Sequence, residues 1–272
     1  MLYIVPTPIG NLEDITLRAL NVLKNVALIA CEDTRTSSKL LNHYEIKTPT
    51  ISYHKFNESK RASELITRLI AGEDIAIISD AGTPGISDPS SYIIKEAITN
   101  DIKIDVLPGA TAVIPALVIS GLDTNSFTYI GFLPEKNKEK TATLELIKSY
   151  PYSLVFYVSP HSLQETLADL LQHLGNREIA IVREISKLFQ TVYRNKLEYF
   201  VNNFTEITLK GEFVLIVEGA EEVVLSDEFI LQEAKHRLAE GKTLSIIVKA
   251  MSKEFNLKKN NLYQLLLDNN IK

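Results

Sequence analysis

The sequence predicts an α/β protein with two lobes, largely parallel or mixed sheets, a cofactor cleft between the lobes and a small C-terminal helical piece. Short apolar runs alternate with segments of helical spacing along most of the chain. That alternation is typical of strand–helix units, and uninterrupted apolar strands are typical of sheets covered on both faces. The length of 272 residues and the hydrophobic content of 45% are sufficient for a large core.

Apolar runs of strand length predict the strands, at residues 2–5, 26–30, 50–53, 75–79, 102–107, 127–132, 153–158, 179–183 and 213–218. Helical spacing predicts helices between most of them, at residues 15–24, 58–71, 89–99, 111–120 and 162–173. The polar segment at residues 121–126 predicts a boundary, so we expect a first lobe at residues 1–121 and a second at 122–225. Strands then stop, and three helical stretches predict a third piece at residues 226–272.

The net charge of −5 argues against a protein that binds bare nucleic acid over its whole surface. The charge is uneven, because residues 242–272 contain six Lys against Glu254 and Asp268 and therefore carry +4. Cys31 is the only cysteine, which excludes a disulfide framework, and no two His have metal-binding spacing. No apolar run has membrane-spanning length, and residues 2–5 lack the basic start of a signal peptide. We therefore expect a cytoplasmic enzyme with no metal and no membrane partner.

The most distinctive segment is SDAGTPGISDPS, residues 79–90, directly after a predicted strand. Ligands of parallel α/β sheets bind beyond the carboxyl ends of strands, and the glycines of this loop allow positive φ and close backbone approach. The segment contains no Lys or Arg, so a polyphosphate would meet Asp80 and Asp88 without a counter-charge. A cationic ligand without phosphate, such as S-adenosylmethionine, fits better. The alternative is a structural turn in which Asp88 caps the next helix.

Two further loops are expected at the same edge of the sheet. TPIGNLEDITLRAL, residues 7–20, follows the first strand, and its Pro8 and Gly10 predict a tight loop; taken alone, a capped strand–turn–helix is the simpler interpretation. PGAT, residues 108–111, opens another helix, where Thr111 can cap the helix or offer its hydroxyl to a ligand. Because three loops converge at one edge, they predict a pocket more strongly than any one of them.

Candidate RNA contacts come from two segments of mixed chemistry. In CEDTRTS, residues 31–37, Arg35 can bind a phosphate or pair internally with Glu32 or Asp33. In SYHKFNESKR, residues 52–61, aromatic side chains lie beside cations, which suits unstacked bases and backbone phosphate; a solvated loop with one or two core aromatics is the alternative. The C-terminal stretch at residues 244–268 is compatible with a helix-turn-helix, whose second helix would begin with Lys258, Lys259 and Asn261, or with a small helical cap.

The motifs YIVPTPIGNLEDITLRAL, CEDTR, SDAGTPGISDP, PGAT, GFLP, SPH and GEFVLIVEG occur in this order over about residues 1–219. In this respect the chain resembles the ribosomal RNA small subunit methyltransferase I family of tetrapyrrole-methylase-like enzymes. The resemblance implies two α/β lobes, S-adenosylmethionine in the cleft and a homodimer. It also implies 2′-O-methylation of a cytidine in the decoding region of 16S rRNA, on the small ribosomal subunit. Relatives have Glu and Arg where this chain has Val158 and Ser162, and Gly where it has Ser90.

On this interpretation, the expected cofactor-binding residues are Pro8, Asp80, Gly82, Thr83, Ile86, Thr111, Ala112, Tyr157 and Glu212. RNA contacts are expected from Arg35, His54 and Asn57. The catalytic base is expected to be Glu184, or Lys187 if the pKa of its ammonium is lowered. The alternatives are a related methylase acting on a small tetrapyrrole-type substrate and a non-enzymatic RNA-binding protein that uses the terminal helices.

Overall fold

The computed structural model describes residues 1–221, 226–255 and 257–271. The chain forms two compact units, Met1–Ala220 and Glu221–Lys272. Met1–Ala220 contains two five-stranded sheets, one in each lobe. The predicted α/β class with two lobes is therefore confirmed.

The first lobe is built on a parallel sheet with the order β3-β2-β4-β1-β5. Its strands are β1 (Leu2–Ile4), β2 (Leu28–Cys31), β3 (Thr50–Ser52), β4 (Ile75–Ile78) and β5 (Ile104–Val106). Its helices are α1 (Leu17–Asn25), α2 (Thr34–His43), α3 (Glu58–Ile70) and α4 (Ser91–Thr99). Every residue of β2 and β4 is buried, since α1 and α2 pack on one face of the sheet and α3 and α4 on the other. The carboxyl ends of all five strands therefore meet at one edge.

The second lobe has a mixed sheet with the order β6-β7-β10-β8-β9. Its strands are β6 (Phe127–Gly131), β7 (Ser153–Val158), β8 (Glu178–Arg183), β9 (Thr191–Lys196) and β10 (Phe213–Val217). The surrounding helices are α5 (Val113–Ser120), α6 (Asn137–Ile147), α7 (Leu163–Leu174) and α8 (Leu197–Asn202). Only the β6–β7 pair is parallel within this sheet, and β7–β10, β10–β8 and β8–β9 are antiparallel.

Helix α5 connects the two lobes and packs on the second sheet. Its buried side chains Val113, Ala116 and Leu117 lie against Val155 and Val214 of that sheet. Residues 113–120 thus belong by packing to the second lobe, although the sequence-based boundary placed them in the first. The outer face of α5 leaves Ile114 and Val118 exposed.

The second unit is helical over its described residues. It contains α9 (Asp227–Ala239), α10 (Leu244–Glu254) and α11 (Lys259–Asp268). Their buried side chains form one core with members from all three helices, including Ile230, Met251 and Leu266. The expected turn of the helix-turn-helix contains residue 256, which lies outside the described residues. Lys258, Lys259 and Asn261 are exposed at the start of α11.

Candidate active site

The loop after β4, Ser79–Ser90, is tied to both other loops that the sequence placed at this edge. Gly82 and Thr7 exchange two backbone hydrogen bonds, each 2.9 Å long. The Thr83 hydroxyl donates to the carbonyl of Ala110 at 3.0 Å. Gly82 has φ +82°, a conformation that costs an L residue energy, so this geometry favours glycine. The three loops form one connected surface at the carboxyl edge of the sheet.

The loop after β2 is joined to the same surface through carboxylates. The backbone N–H of Asp33 donates to the Asp80 carboxylate at 3.1 Å, and that of Asp80 donates to Glu32 Oε2 at 3.3 Å. Arg35 pairs with Asp33, with Nη2 at 2.8 Å from Oδ2, and its side chain is 90% exposed. This side-chain hydrogen bond lowers the pKa of the Asp33 carboxyl to about 2. Asp80 thus holds two loops together, and Arg35 makes the internal pair that the sequence left open.

Between the two lobes lies a cavity of about 300 Å³. Seven of the nine expected cofactor residues line it, namely Gly82, Thr83, Ile86, Thr111, Ala112, Tyr157 and Glu212. Pro8 and Asp80 are not among the lining residues. Asp88, which the loop composition placed against a ligand, also lines it. Residues that we did not predict for this site line it as well, among them Ile9, Ser87, Phe132, Val158, Pro160, Ile185 and Val214.

The lining of this cavity is mainly apolar; it includes two carboxylates, the half-buried Asp88 and the exposed Glu212, and no Lys or Arg. Burial, reinforced by the charges of Glu32 and Asp80, raises the pKa of the Asp88 carboxyl to about 7. The interpretation of Asp88 as a helix cap is wrong, because the N-cap of α4 is Ser90 and Asp88 faces the cavity. The signal in the sequence was two Asp in a loop without Lys or Arg, and of these two only Asp88 lines the cavity.

Aromatic side chains of the second lobe form one wall of the cavity. The ring of Tyr157 lies 5.3 Å from that of Tyr129 and 5.6 Å from that of Phe132, both edge to face. Burial and the neighbouring Tyr129 raise the pKa of the Tyr157 hydroxyl. Tyr129 also reaches the first lobe, where its hydroxyl lies 2.6 Å from that of Ser87. The motif GFLP contains Phe132, but its pattern did not predict that this ring would form part of an aromatic cavity wall.

Glu184, Lys187 and Glu212 form an ion triad beside this cavity. Lys187 Nζ lies 2.7 Å from Glu184 Oε1 and 3.0 Å from Glu212 Oε2. Partial burial acts to lower the pKa of the Lys187 ammonium, but its bonds to both carboxylates outweigh burial and raise it. Burial acts against the charge of Glu184, yet the hydrogen bond from Lys187 lowers its pKa overall. The lowered lysine pKa required for Lys187 to act as a base is therefore not present in this arrangement.

Two glycines allow the triad to sit where it does. A Cβ at Gly211 would overlap the Glu184 carboxylate, and a Cβ at Gly10 would overlap the aliphatic chain of Lys187. Glu184 itself has φ +53°, in the left-handed region. Strained backbone of this kind persists only where the surroundings hold it, and it is concentrated at functional sites.

The other two expected RNA residues, His54 and Asn57, contact each other in the turn before α3. The His54 backbone N–H donates to Asn57 Oδ1 at 2.9 Å, and Asn57 Nδ2 lies 3.2 Å from His54 Nε2. Phe56 between them is 95% exposed. The hydrogen bonds between His54 and Asn57 thus fix a turn that exposes the Phe56 ring to solvent.

Within the described ranges, no three His, Cys, Asp or Glu side chains are grouped so as to hold a metal ion. None of the described helices is both long enough and apolar enough to cross a membrane.

Residues 1–200 match the model of the tetrapyrrole (corrin/porphyrin) methylases. A ribosomal RNA small subunit methyltransferase I from Halalkalibacterium halodurans is 43% identical, with the match covering 97% of this chain and 93% of the relative. The chain belongs to the ribosomal RNA small subunit methyltransferase I family. Members from Synechocystis sp. and Bacillus subtilis are 42% and 39% identical, covering 98% and 97% of this chain and 98% and 92% of the relatives. The expected class, an S-adenosylmethionine-dependent methyltransferase, is confirmed at the level of this family.

Solved structures share the fold of this ribosomal RNA small subunit methyltransferase I family member. A diphthine synthase aligns with a TM-score of 0.64 at 14% identity, over 80% of this chain and 89% of that one. A uroporphyrin-III C-methyltransferase from Thermus thermophilus, solved with S-adenyl homocysteine, aligns with a TM-score of 0.57 at 17% identity. That match covers 80% of this chain and 96% of the other.

Proposed function

We propose that this protein transfers a methyl group from S-adenosylmethionine to a ribose 2′-oxygen of a cytidine in the decoding region of 16S rRNA. The observation that carries the proposal is the cavity between the lobes, whose lining has the carboxylates of Asp88 and Glu212 and no Lys or Arg, and which adjoins the ion triad. The type of RNA comes from the names of the relatives, each a ribosomal RNA small subunit methyltransferase. We propose the assembled small subunit, in the cytoplasm, as the substrate.

The residues present fit S-adenosylmethionine. The cavity of about 300 Å³ lies within the range of roughly 300–1,000 Å³ usual for small-molecule sites. Asp88 offers a negative charge to a sulfonium, an ammonium or ribose hydroxyls, whereas a phosphate would find no cation in the lining. Apolar side chains such as Ile86, Phe132 and Val214 suit an adenine ring. The cofactor supplies a methyl group bound to a positively charged sulfur. The sulfur is a good leaving group when the methyl group is transferred.

The loops of the first lobe would hold the cofactor, and the triad would orient the RNA. Correct orientation of two reactants can supply on the order of 7–11 kcal/mol of the barrier. A general base typically adds roughly 10²–10⁴-fold. Glu184 is our candidate for the base, since it is ionised at neutral pH and sits beside Glu212 of the cavity wall. Lys187, with its raised pKa, acts as the cation that positions both carboxylates.

Contacts to the rest of the RNA are proposed for exposed groups of the first lobe. Arg35 is exposed, and Phe56 stands out from the turn that His54 and Asn57 build. Exposed aromatic rings can stack on unpaired bases, and Arg can bind phosphate. Because a ribosome offers shape as well as charge, local patches are sufficient for a chain with net charge −5.

We also propose a homodimer. Ile114 and Val118 lie one turn apart on the outer face of α5 and are 47% and 68% exposed. Helix α5 packs against β9, the free edge strand of the second sheet, and the segment before β9 exposes Leu188 and Phe189. An apolar surface of this kind marks an interaction site. Light scattering should give twice the chain mass for the wild type and a lower mass for Val118→Glu; a monomeric wild type would contradict the proposal.

The test of the function is methyl transfer from labelled S-adenosylmethionine to small subunits from cells that lack this protein. Naked 16S rRNA is the comparison. We expect label at the 2′-oxygen of one cytidine on subunits, located by nuclease mapping and mass spectrometry. Label on a base instead of a ribose, or transfer only to a tetrapyrrole, would overturn the assignment of the substrate.

A further inference from the structure

A second cavity, of about 440 Å³, adjoins the first on the side of the second lobe. Its lining includes Pro160, His161, Gln164, Phe204, Leu209 and Lys210. Pro160 lines both cavities, and the wall continues from Lys210 and Gly211 in the second cavity to Glu212 in the first. We propose that the second cavity receives the unstacked base of the nucleotide whose ribose is methylated. The inference rests on the proposed function and adds a binding site to it.

The side chains of this cavity have the chemistry that an unpaired base requires. Phe204 and His161 are aromatic, and proteins bind unstacked RNA bases on such rings. Gln164 carries both a donor and an acceptor, so it can pair with a base edge that offers both. Lys210 supplies a positive charge for a phosphate. Across the part of the chain that the structure describes, the side chains of His161, Gln164 and Lys210 form no hydrogen bond or ion pair, so these groups are available.

The walls of the second cavity are held in place by buried or paired groups. Arg183 is 7% exposed, and its Nε donates to the Lys210 carbonyl at 2.6 Å. Its Nη1 donates to the Phe189 carbonyl at 3.1 Å. On the other wall, the hydroxyls of Ser159 and Ser162 lie 2.9 Å apart and close the turn that carries His161. A site whose walls are fixed before binding loses less entropy when its ligand binds.

The position of the triad connects the two cavities. Gly211 of the second cavity lies directly against the Glu184 carboxylate, so closely that no Cβ would fit. Glu212, the next residue, lines the first cavity and pairs with Lys187. A base in the second cavity would therefore place its ribose at the wall formed by Pro160 and residues 211–212. At this wall Glu184, the candidate general base, adjoins the cofactor cavity through Glu212.

The experiment compares His161→Ala and Lys210→Ala with the wild type in methyl transfer to small subunits from cells lacking this protein. Lys196→Ala, at the exposed end of β9, is the matched control for a lost surface charge. We expect kcat/KM for subunits to fall about tenfold or more in His161→Ala, the size of one lost base-stacking contact. His161→Phe should recover most of it. Affinity for S-adenosylmethionine, measured by calorimetry, should stay within about twofold in every variant.

Ultraviolet cross-linking of wild-type protein to the same subunits, read by mass spectrometry, tests the contact directly. We expect cross-linked peptides that contain His161 or Phe204. If the wild type methylates subunits while His161→Ala and Lys210→Ala match the Lys196→Ala control, the second cavity is not a substrate site. A parallel loss of cofactor affinity in these variants would also overturn the inference, because it would indicate a damaged first cavity. A wild type that binds cofactor but methylates no RNA would refute the proposed function and this inference with it.

Discussion

At the scale of single residues, Asp88 is the group whose environment is most unusual. Its carboxyl has a pKa of about 7 instead of 3.8, because it is half buried beside Glu32 and Asp80. A carboxylate that ionises near neutrality binds a cation only in its charged form. The affinity for a cationic ligand in this cavity should therefore depend on pH over the range where the Asp88 carboxyl titrates.

We predict that S-adenosylmethionine affinity of the wild type weakens as pH falls from about 8 to about 6, since protonation removes the Asp88 charge. Asp88→Asn should bind more weakly at the higher pH and show little dependence on pH. Calorimetry across this range measures both, with Asp227→Asn, an exposed position of α9, as control. A wild-type affinity that is flat across the range would contradict this role.

The same shift has a consequence for stability in the absence of ligand. Because the folded-state pKa lies above the unfolded value of 3.8, the stabilisation from proton uptake is complete below that value and is lost as pH rises through about 7. Asp88→Asn removes the buried charge, so it should raise the melting temperature above neutrality and have less effect under acidic conditions.

Glu184 is our candidate for the general base, and kcat for methyl transfer can be compared with cofactor affinity to test this role. We predict that Glu184→Gln lowers kcat for methyl transfer by at least about tenfold, because the neutral amide cannot accept a proton. Cofactor affinity should remain close to that of the wild type. Glu178→Gln, at the start of β8, the strand that ends just before Glu184, is the matched control. A Glu184→Gln enzyme with the wild-type rate would remove this residue as the base.

At the scale of elements, the sequence predicted the strands that have apolar runs and missed the one that does not. Predicted runs correspond to β1–β8 and β10 within one or two residues at most ends. Strand β9 was missed because it is an edge strand, TVYRNK, with no buried residue. Edge strands are stabilised by pairing on one side only and need no apolar run. Their pattern is close to that of a polar loop.

The sequence also did not predict which strand pairs of the second sheet are antiparallel. Continuous apolar runs such as SLVFYV and FVLIV show that both faces of β7 and β10 are buried, which holds for parallel and antiparallel strands alike. What decides direction is the connection between strands, and the chain between β8 and β10 returns through β9 and α8. The predicted largely parallel or mixed sheets are confirmed, since the first sheet is parallel and the second is mixed, with β6–β7 as its parallel pair.

The candidate site was predictable where its chemistry resides in loops after strands. Glycine, proline and aspartate in residues 79–90 indicated a binding loop, and seven of the expected residues do line the cavity. Phe132, Val158 and Ile185 gave no signal, because apolar side chains in a second lobe are indistinguishable from core residues until that lobe is placed opposite the first.

The loop Ser79–Ser90 allows a test that separates the stability cost of a positive-φ Ala from its effect on cofactor binding. Gly82→Ala and Gly72→Ala both place an Ala at positive φ, +82° and +94°, but only Gly82 pairs with Thr7 at the cavity. We predict that each loses roughly 1–2 kcal/mol of stability, the cost of left-handed backbone. Only Gly82→Ala should also lose S-adenosylmethionine affinity. Denaturant unfolding and calorimetry give the two quantities, and equal cofactor binding in both variants would contradict the prediction.

At the scale of the whole molecule, two lobes of different sheet type share one cavity, and among the described residues side-chain hydrogen bonds join them. The Tyr129 hydroxyl of β6 contacts the Ser87 hydroxyl in the first lobe, and the Ser186 hydroxyl of the second lobe donates to the Asp14 carboxylate of the first. Both contacts lie next to the candidate active site. The lobes are thus linked at the place where a ligand would lie between them.

We predict that Tyr129→Phe speeds dissociation of S-adenosylmethionine by about two- to tenfold, the size of one hydrogen bond of roughly 0.5–1.5 kcal/mol. Loss of the bond to Ser87 removes a contact that holds the Ser79–Ser90 loop of the cavity wall to the second lobe. Stopped-flow displacement measures the rate, and Tyr152→Phe, at an exposed position, is the control. An unchanged rate would show that the contact does not retain the cofactor.

The ties of the Ser79–Ser90 loop to its neighbours run largely through main-chain atoms. Thr7 and Gly82 pair through their backbones, Thr83 reaches a carbonyl, and Asp80 accepts from a backbone N–H. Main-chain partners are present whatever side chain a position carries, but they shift when one residue is inserted or removed. The length of these loops is therefore under a stricter constraint than their composition. Substitutions at neighbouring positions should accumulate in descendants of this protein, whereas insertions and deletions there should be eliminated by selection.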